Sequence, residues 1–382
     1  MSHATQTPST PCLLLDRTVL ERNLSRVSTI ATEAGVALRP HCKTAKSAEI
    51  ARRATAGFNG AITVATLNEA EYFADHGFTD ITYAICIVPS KLDRIVALQE
   101  RGVNISIITD NLGVAAKVAE RSANVSSPLP VLIEIDTGTK RTGLLPDSPD
   151  LIPLATLLHE CPTLELRGVL SFGGFGYLEE TPAKIAVAAE QERVRILEAA
   201  DRMRQAGIPC PVVSVGSTPN VLCAQSFEGV TEIRPGVYVF GDLMMNALGV
   251  YDYEDIAVTV QASVIGHNRD QNRIYIDAGA LALSQDQGFD RAGLPYAKYG
   301  LIRHADNARP YAGIGVCNVN QEHGFVACLD HTDPFPFDDF PVGSTLRVIP
   351  NHACHSIEGF DRYHVIDDAG EIVDEWARTN GW

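Results

Sequence analysis

Short apolar runs alternate with amphipathic helical segments over the first two thirds of the chain. The pattern predicts a first helix from Asp16 to Gly35, where apolar residues recur at helical spacing before a glycine stop. Eight apolar, β-branched runs follow, and helical patterns separate them. The predicted strands are Val36–Leu38, Ala61–Ala65, Ile81–Ile85, Val103–Ile108, Val131–Ile135, Leu166–Ser171, Val212–Val215 and Ile233–Phe240. The helical patterns include Asn68–His76, Lys91–Arg101, Asn111–Arg121, Leu151–His159 and Pro182–Ala206.

Eight strands that alternate with helices are the number expected for a (β/α)8 TIM-like barrel. A doubly wound open sheet would need fewer strands and a glycine-rich turn after the first one. The stretch Arg39–Ser47, RPHCKTAKS, follows the first strand and contains no glycine. The sequence therefore predicts an α/β chain with a barrel over residues 16–245.

Beyond about Gly241 the helical periodicity fades and β patterns replace it. Loops rich in proline, glycine and aspartate separate the apolar runs, which is typical of antiparallel sheet. Pro11–Leu15 is a further strand signal, placed before the first helix. We therefore predict a second, mainly antiparallel β domain, made of residues 1–15 and 246–382. Its predicted strands are Ile256–Ile265, Arg273–Ile276, Gly324–Leu329, Thr345–Ile349 and Tyr363–Ile366.

Composition narrows the classes of partner. The chain has 382 residues, 45% of them hydrophobic and 20% charged, and a net charge of −16. A strongly acidic chain is a poor ligand for nucleic acid or an anionic membrane, because phosphate binding needs a basic face. The nine cysteines occur without a CxxC pair, which favours core thiols in a reducing compartment. With no signal-peptide pattern and no apolar run of membrane-spanning length, we expect a cytoplasmic protein.

Chemistry in such a barrel is expected at the carboxyl ends of the strands. Lys43 follows the first strand, where its amine could form a Schiff base; a solvated surface lysine is the alternative. Gly216-Ser217-Thr218 follows the seventh strand and could bind an anion, or Ser217 could simply cap the next helix. A phosphate site and a strand-end lysine in one barrel together predict pyridoxal 5′-phosphate (PLP).

Four motifs carry a resemblance to a known family: RPHCKTAKS, SVGSTPN, EIRPGVYVFGD and PNHAC. The sequence resembles the alanine-racemase-like, fold type III PLP enzymes over nearly its whole length. Within them it is most similar to the branch that contains D-threonine aldolase, D-serine dehydratase and D-threo-3-hydroxyaspartate dehydratase. The resemblance implies a homodimer.

The resemblance also assigns residues to the cofactor. Lys43 would be the Schiff-base lysine, and His41 shares its face on an extended segment and could order it or contact the cofactor. Around the phosphate the resemblance places Gly216, Ser217, Thr218, Gly236 and Val237.

Other residues would contact the cofactor ring. The resemblance places Arg141 near the phenolic oxygen and leaves Arg234 and Tyr177 as alternatives for the pyridine nitrogen. Neither of these two supplies a carboxylate, so the nitrogen would stay largely unprotonated and the ring would be a weaker electron sink.

A divalent cation could compensate for a weak electron sink. His352 and Cys354 are two residues apart, so on a strand they would project from one face, whereas His355 would point away. Imidazole and thiolate suit Zn²⁺ first, with Mn²⁺, Co²⁺ or Mg²⁺ as other options. A core cysteine beside a polar histidine is the alternative. Dehydratases of the branch carry a His-x-Cys metal site, which favours the metal here.

The expected reaction is the conversion of a β-hydroxy-D-amino acid to a 2-oxo acid and ammonia. D-threo-3-hydroxyaspartate, which gives oxaloacetate, is the foremost substrate, with D-serine and D-threonine left open. Retro-aldol cleavage to glycine and an aldehyde would use the same cofactor, metal and substrate class. A racemase, or a PLP-binding protein without catalysis, are the remaining alternatives.

Overall fold

A computed structural model of the chain describes residues 8–123, 125, 127–290, 294–303, 309–330 and 332–382. The chain forms two compact units, Arg26–Gly236 with Gly381–Trp382, and the residues up to Ser25 with Val237–Asn380. The boundaries predicted from sequence, 16–245 against 1–15 with 246–382, stay predictions, and residues 1–7 lie outside the described ones. Among the described helices, none combines the length and the apolar composition needed to cross a bilayer.

The described chain begins with strand β1 (Cys12–Asp16) and helix α1 (Arg17–Ala34). The Asp16 carboxylate accepts a hydrogen bond of 3.0 Å from the backbone N–H of Val19, which satisfies one free donor of the first helical turn. Gly35 follows the helix with φ +65°, the left-handed conformation that commonly ends helices. The predicted helix from Asp16 to Gly35 therefore has the expected limits.

Eight strands of the described part of the unit Arg26–Gly236 run parallel in one sheet. The backbone N–H of Cys42 donates to the carbonyl of Thr63 (2.8 Å) and that of Thr63 to Pro40 (2.9 Å), which joins the two ends of the sheet into a barrel. This confirms the predicted TIM-like fold. The strands are β2 (Ala37–Leu38), β3 (Ile62–Val64), β4 (Asp80–Cys86), β5 (Asn104–Thr109), β6 (Leu129–Ile135), β7 (Leu164–Ser171), β8 (Val212–Val215) and β9 (Glu232–Ile233). The helices are α2 (Ala48–Ala54), α3 (Leu67–Asp75), α4 (Leu92–Glu100), α5 (Leu112–Arg121), α6 (Leu151–Glu160), α7 (Pro182–Gln205) and α8 (Thr218–Cys223).

The last barrel strand is shorter than the sequence pattern predicts. The pattern indicated a strand over Ile233–Phe240, but only Glu232–Ile233 is strand and Val237–Val239 is a 3₁₀ turn. Pro235 has no N–H group for a β ladder, so the strand ends before it. The apolar residues that follow are buried all the same, which explains the misleading pattern.

The other unit contains a sheet of nine strands in the part of the chain that the structure describes. β1 lies between β10, to which it is antiparallel, and β16, to which it is parallel, so Pro11–Leu15 does join this domain. The predicted antiparallel β domain is confirmed, although β12, β13 and β17 were not predicted. The strands are β10 (Val258–Asn268), β11 (Arg273–Ile276), β12 (Leu301–Arg303), β13 (Pro310–Val319), β14 (Gly324–Cys328), β15 (Thr345–Ile349), β16 (Arg362–Ile366) and β17 (Ile372–Ala377). The helices are α9 (Leu243–Ala247), α10 (Ala280–Leu283) and α11 (Ala353–Ser356).

One barrel glycine offers a test of this packing. Gly168 in β7 has φ +136°, and a Cβ there would lie 2.1 Å from the carbonyl oxygen of Val212 on β8. We expect Gly168→Ala to lower the thermal unfolding midpoint measurably, because strained backbone costs about 1–3 kcal/mol and the clash adds to it. Gly207→Ala is the matched control, since Gly207 also has positive φ (+78°) but open space around it. Equal losses in circular-dichroism melts would contradict the packing argument.

Candidate active site

Lys43 lies where the sequence places it, just beyond the carboxyl end of the first barrel strand. β2 ends at Leu38, and an extended segment continues to His41, which forms a parallel bridge with Thr63. Lys43 is half-buried, and its Nζ lies 5.8 Å from the ring centroid of Phe172, the residue after β7. Barrel closure therefore holds this amine at the catalytic end of the barrel.

Three cations surround His41. Its removal from water sets the pKa of His41 well below the usual value, and the charges of Lys43, Arg234 and Arg141 lower it further. His41 is consequently a neutral imidazole at ordinary pH. The surrounding positive charge suits an anionic cofactor or substrate.

The turn after β8 is built for close approach of the backbone. A Cβ at Gly216 would lie 2.8 Å from the backbone nitrogen of Arg234, and one at Gly236 would lie 3.1 Å from the carbonyl oxygen of His41. The Gly216 N–H is already used, because it donates to the buried carboxylate of Glu192 at 3.2 Å. An anion at this turn must therefore rely on other donors than the Gly216 amide.

Ser217 and Thr218 begin helix α8. The Ser217 hydroxyl accepts from the backbone N–H of Asn220 (3.4 Å) and donates to the carbonyl of Gly173 (3.2 Å), so it serves as the helix cap. Thr218 is fully buried as the first helical residue. Val237, also assigned to the phosphate, begins the 3₁₀ turn Val237–Val239, which belongs to the other unit.

Of the two candidates for the cofactor's pyridine nitrogen, Arg234 has an unused donor. Its Nη1 donates to the hydroxyl of Ser214 (2.9 Å) and its Nη2 to the carbonyl of Ser171, whereas its Nε is buried with no hydrogen-bond partner among the described residues. An orphaned buried donor is costly unless a ligand accepts from it. Tyr177 is half-buried in the 3₁₀ segment Gly174–Leu178 and has contacts of its own. With the lysine amine and the glycine turns, these residues fit PLP.

Arg141 lies beside the same aromatic ring as Lys43. Its guanidinium carbon is 4.5 Å from the ring centroid of Phe172, and its Nη2 is 3.7 Å from Oε1 of the buried Glu134. The Arg141 side chain is about half exposed, with 51% of its area accessible. Phe172 and Glu134 therefore hold the Arg141 guanidinium, while its exposed half remains accessible to a ligand.

The predicted metal ligands lie in a helical turn and not on a strand. β15 ends at Ile349, and His352 caps the short helix Ala353–Ser356. The expectation that His352 and Cys354 share a strand face is therefore wrong in its geometry. Helical spacing brings His352 next to His355, with ring centroids 4.2 Å apart.

A carboxylate joins the two histidines. Asp286 Oδ2 lies 2.8 Å from Nδ1 of His352 and 3.0 Å from Nδ1 of His355, and these three residues could hold a metal ion. Sequence reasoning excluded His355 and missed Asp286, which is 66 residues from His352 and carries no motif. Since Asp286 occupies Nδ1 of His352, Nε2 is the nitrogen left for a metal.

The side chain of Cys354 forms a hydrogen bond with that of His352. Burial lowers the pKa of His352, but hydrogen bonds with Asp286 and Cys354 outweigh it and raise this pKa to about 11. The hydrogen bond from His352 likewise holds the pKa of Asp286 well below its usual value against the effect of burial. An imidazole that contacts both a thiol and a carboxylate offers donor types that fit a borderline-soft divalent cation.

Two side chains hold the backbone on either side of His352, the candidate metal ligand. Asp242 accepts the backbone N–H of Ala353 at 3.0 Å while it caps α9 through Met245. The Asn351 amide donates to the carbonyls of Gln287 (2.9 Å) and Lys298 (2.7 Å). His352 is thus held between two fixed neighbours, as a preorganised ligand site requires.

A second cluster of metal-ligand type, Cys86, Asp110 and Glu134, lies at the carboxyl ends of β4, β5 and β6. The thiol of Cys86 donates to Glu134 at 3.0 Å, and Asp110 accepts the backbone N–H of Gly143 at 2.8 Å. Burial and the two carboxylates raise the pKa of Cys86, so the thiol stays protonated. The thiol and both carboxylates therefore already take part in hydrogen bonds within the protein. Sequence reasoning did not identify this cluster.

Known proteins share this architecture over the whole chain. The model of the alanine racemase N-terminal domain matches residues 15–244, and that of a putative serine dehydratase domain matches residues 257–366. D-threo-3-hydroxyaspartate dehydratase of Delftia sp. (strain HT23) is 39% identical over 98% of both chains. Its solved structure superposes with a TM-score of 0.94 over 98% of this chain and 99% of that one.

Two further relatives are more distant. D-serine dehydratase of Dictyostelium discoideum is 29% identical over 98% of this chain and 97% of its own. D-threonine aldolase of Arthrobacter sp. is 28% identical over 96% of this chain and 91% of its own. The chain belongs to the alanine-racemase-like family, in the branch that contains D-threonine aldolase, D-serine dehydratase and D-threo-3-hydroxyaspartate dehydratase. The predicted family and the prediction of a lyase are confirmed.

The 2.8 Å contact between Asp286 and Nδ1 of His352 should influence how tightly the protein binds Zn²⁺. We expect Asp286→Asn to weaken Zn²⁺ binding by about 10- to 100-fold, because a carboxylate that fixes a ligating histidine typically contributes that much. Competition with a chromophoric chelator measures the affinity directly. Asp338→Asn, at an exposed position in the same unit, is the control and should bind like the unaltered protein. Unchanged affinity in Asp286→Asn would show that the carboxylate does not orient the ligand.

Proposed function

We propose that this protein is a PLP- and divalent-metal-dependent dehydratase. Its substrate is a β-hydroxy-D-amino acid, D-threo-3-hydroxyaspartate before others, and its products are oxaloacetate and ammonia. The observation that carries the proposal is the coupled pair His352 and Cys354, a donor set for a divalent cation, in a chain 39% identical over its length to a dehydratase of this substrate. We further propose a homodimer, from the family resemblance, and a cytoplasmic location, from cysteines that are scattered singly along the sequence.

Lys43 would carry out the proton chemistry. We assign its Nζ as the amine that would hold the cofactor's carbonyl carbon, and as the base that would take the proton from the substrate's Cα. Bound PLP would supply a conjugated ring that accepts the electron pair of the broken bond. The half-buried setting of Lys43 beside Phe172 limits its range of motion, which keeps the amine near the atom that it deprotonates.

Other barrel residues would bind and orient. Arg141 can donate to the phenolic oxygen, and the unpartnered Nε of Arg234 can donate to the pyridine nitrogen, with Tyr177 as the alternative donor. A donor at that nitrogen keeps it unprotonated. The positive charge around His41 also favours a substrate with a second carboxylate, which supports 3-hydroxyaspartate over D-serine.

The leaving hydroxyl needs separate help, because hydroxide is a poor leaving group. A divalent cation held by His352 and Cys354 would supply Lewis-acid assistance at the substrate's β-oxygen. Asp286 would keep the Nε2 of His352 directed at that cation. Zn²⁺ is the metal that imidazole and thiolate favour, and Mn²⁺, Co²⁺ and Mg²⁺ are the alternatives for a reconstitution series.

The cofactor lysine can be mapped directly. Borohydride reduction of the holoenzyme should fix the cofactor on Lys43, identified by peptide mass spectrometry, and Lys43→Ala should lack the visible band near ~420 nm. Lys117→Ala is the control, because Lys117 is exposed on α5 and should keep both the band and the label. A label on any other lysine would refute the assignment.

The reaction itself is settled by products. With D-threo-3-hydroxyaspartate we expect oxaloacetate and ammonia in equal amounts, whereas retro-aldol cleavage would give glycine and glyoxylate. A chelator should reduce turnover by about 100-fold or more while the visible band remains, because Lewis-acid assistance contributes several kcal/mol. Cys354→Ala should behave like the chelated enzyme, and Cys317→Ala, in the same unit, should not. Glycine as the main product would replace the dehydratase by the aldolase.

A further inference from the structure

Arg141 is carried by a loop whose backbone is tightly fixed. The Asp136 carboxylate accepts the backbone N–H groups of Gly138 (2.9 Å) and Lys140 (3.0 Å). At the far end of the loop, the N–H of Gly143 donates to Asp110 at 2.8 Å. Gly143 has φ +108°, and a Cβ there would lie 2.6 Å from the backbone nitrogen of Asp136, so the two ends of the loop touch.

The Arg141 side chain, unlike its backbone, depends on few contacts. Phe172 provides an aromatic face 4.5 Å from the guanidinium carbon, and Glu134 lies 3.7 Å from Nη2. Within the described part of the chain, Glu134 is the only carboxylate in an ion pair with Arg141. Because an exposed arginine has many rotamers, Glu134 is what selects one of them.

Glu134 is itself held rigidly. Its side chain has only 4% of its area accessible and belongs to the barrel strand β6, all of whose residues are buried. The thiol of Cys86 donates to its Oε2 at 3.0 Å, which leaves Oε1 for Arg141. A buried carboxylate needs nearby positive charge, which Glu134 receives from Arg141, its ion-pair partner, and from Arg234.

We propose that Glu134 is a positioning residue that holds the Arg141 guanidinium toward the cofactor. The inference rests on the proposed function, because it takes Arg141 as a contact of the PLP phenolic oxygen. Glu134 touches neither the substrate nor the reacting atoms in this assignment. It acts through the ion pair with Arg141, with Cys86 fixing the orientation of the carboxylate.

A double-mutant cycle tests this dependence. We compare the unaltered protein, Glu134→Gln, Arg141→Gln and the double variant, and measure the PLP dissociation constant by protein fluorescence together with kcat and KM. Glu134→Gln should weaken PLP binding by about 10- to 100-fold. This is the loss expected when the hydrogen bond from Arg141 to the cofactor's charged oxygen is no longer formed. In the Arg141→Gln background, Glu134→Gln should change PLP affinity by less than about twofold, because the arginine that Glu134 positions is absent.

The controls separate positioning from damage to the fold. Glu165→Gln removes another glutamate–arginine pair of the barrel, with Arg167 at 3.2 Å, and should change PLP affinity by less than about twofold. If Glu134→Gln does not fold by circular dichroism, Glu134→Asp keeps the charge and replaces it in the cycle.

Two outcomes overturn the proposal. A full loss of affinity from Glu134→Gln in the Arg141→Gln background means that Glu134 acts independently of Arg141. Unchanged affinity in Glu134→Gln means that it does not act at all. The binding measurement needs no turnover, so absence of dehydration in the unaltered protein would reject the proposed function and leave the positioning test valid.

Discussion

The burial of the Arg234 guanidinium is the constraint on which the barrel site depends. Only 6% of Arg234 is accessible, and burial lowers its pKa, although neighbouring carboxylates act in the opposite direction. The guanidinium donates to Ser214, whose hydroxyl donates in turn to Glu232 at 2.6 Å. Glu232 accepts from Arg39 at 2.6 Å, and Arg39 pairs with Asp80 at 2.8 Å. Positive and negative groups thus alternate from Arg234 to Asp80, across β8, β9, the segment after β2, and β4. The buried charges of Arg39 and Glu232 are paired with each other.

This network also determines the chemistry of its neighbours. The backbone of Arg234 passes so close to Gly216 that only glycine fits there. The positive charge of Arg234 helps to keep His41 neutral, so His41 does not add a charge of its own beside Lys43. What remains beside Lys43 are the guanidinium groups of Arg141 and Arg234, both near Glu134, and their N–H groups can donate to an anionic ligand.

Much of this was predictable from the sequence, for identifiable reasons. Strand-to-helix periodicity located the strand before Lys43, and Lys43 is therefore where the pattern placed it. The strand predicted through Phe240 failed because burial of a non-repetitive segment produces the same apolar pattern as a strand. The helical turn at His352 was missed because Ala353–Ser356 is too short for its periodicity to appear, and its N-terminal support comes from the distant Asp242. Contacts between distant positions, such as Asp286 with His352, leave no local signal at all.

The position of Asp286 explains why a two-residue motif is insufficient evidence for a metal centre. His352 and Cys354 supply donor atoms, but a free imidazole could ligate through either nitrogen and in many orientations. Asp286 occupies Nδ1. The residue before His352, Asn351, is fixed by hydrogen bonds from its side-chain amide to three loop carbonyls. The same carboxylate reaches His355, which would otherwise compete as a ligand through its own Nδ1. The Asp286 carboxylate thus contacts Nδ1 of both histidines, and it leaves Nε2 of His352 as a nitrogen that could ligate a cation.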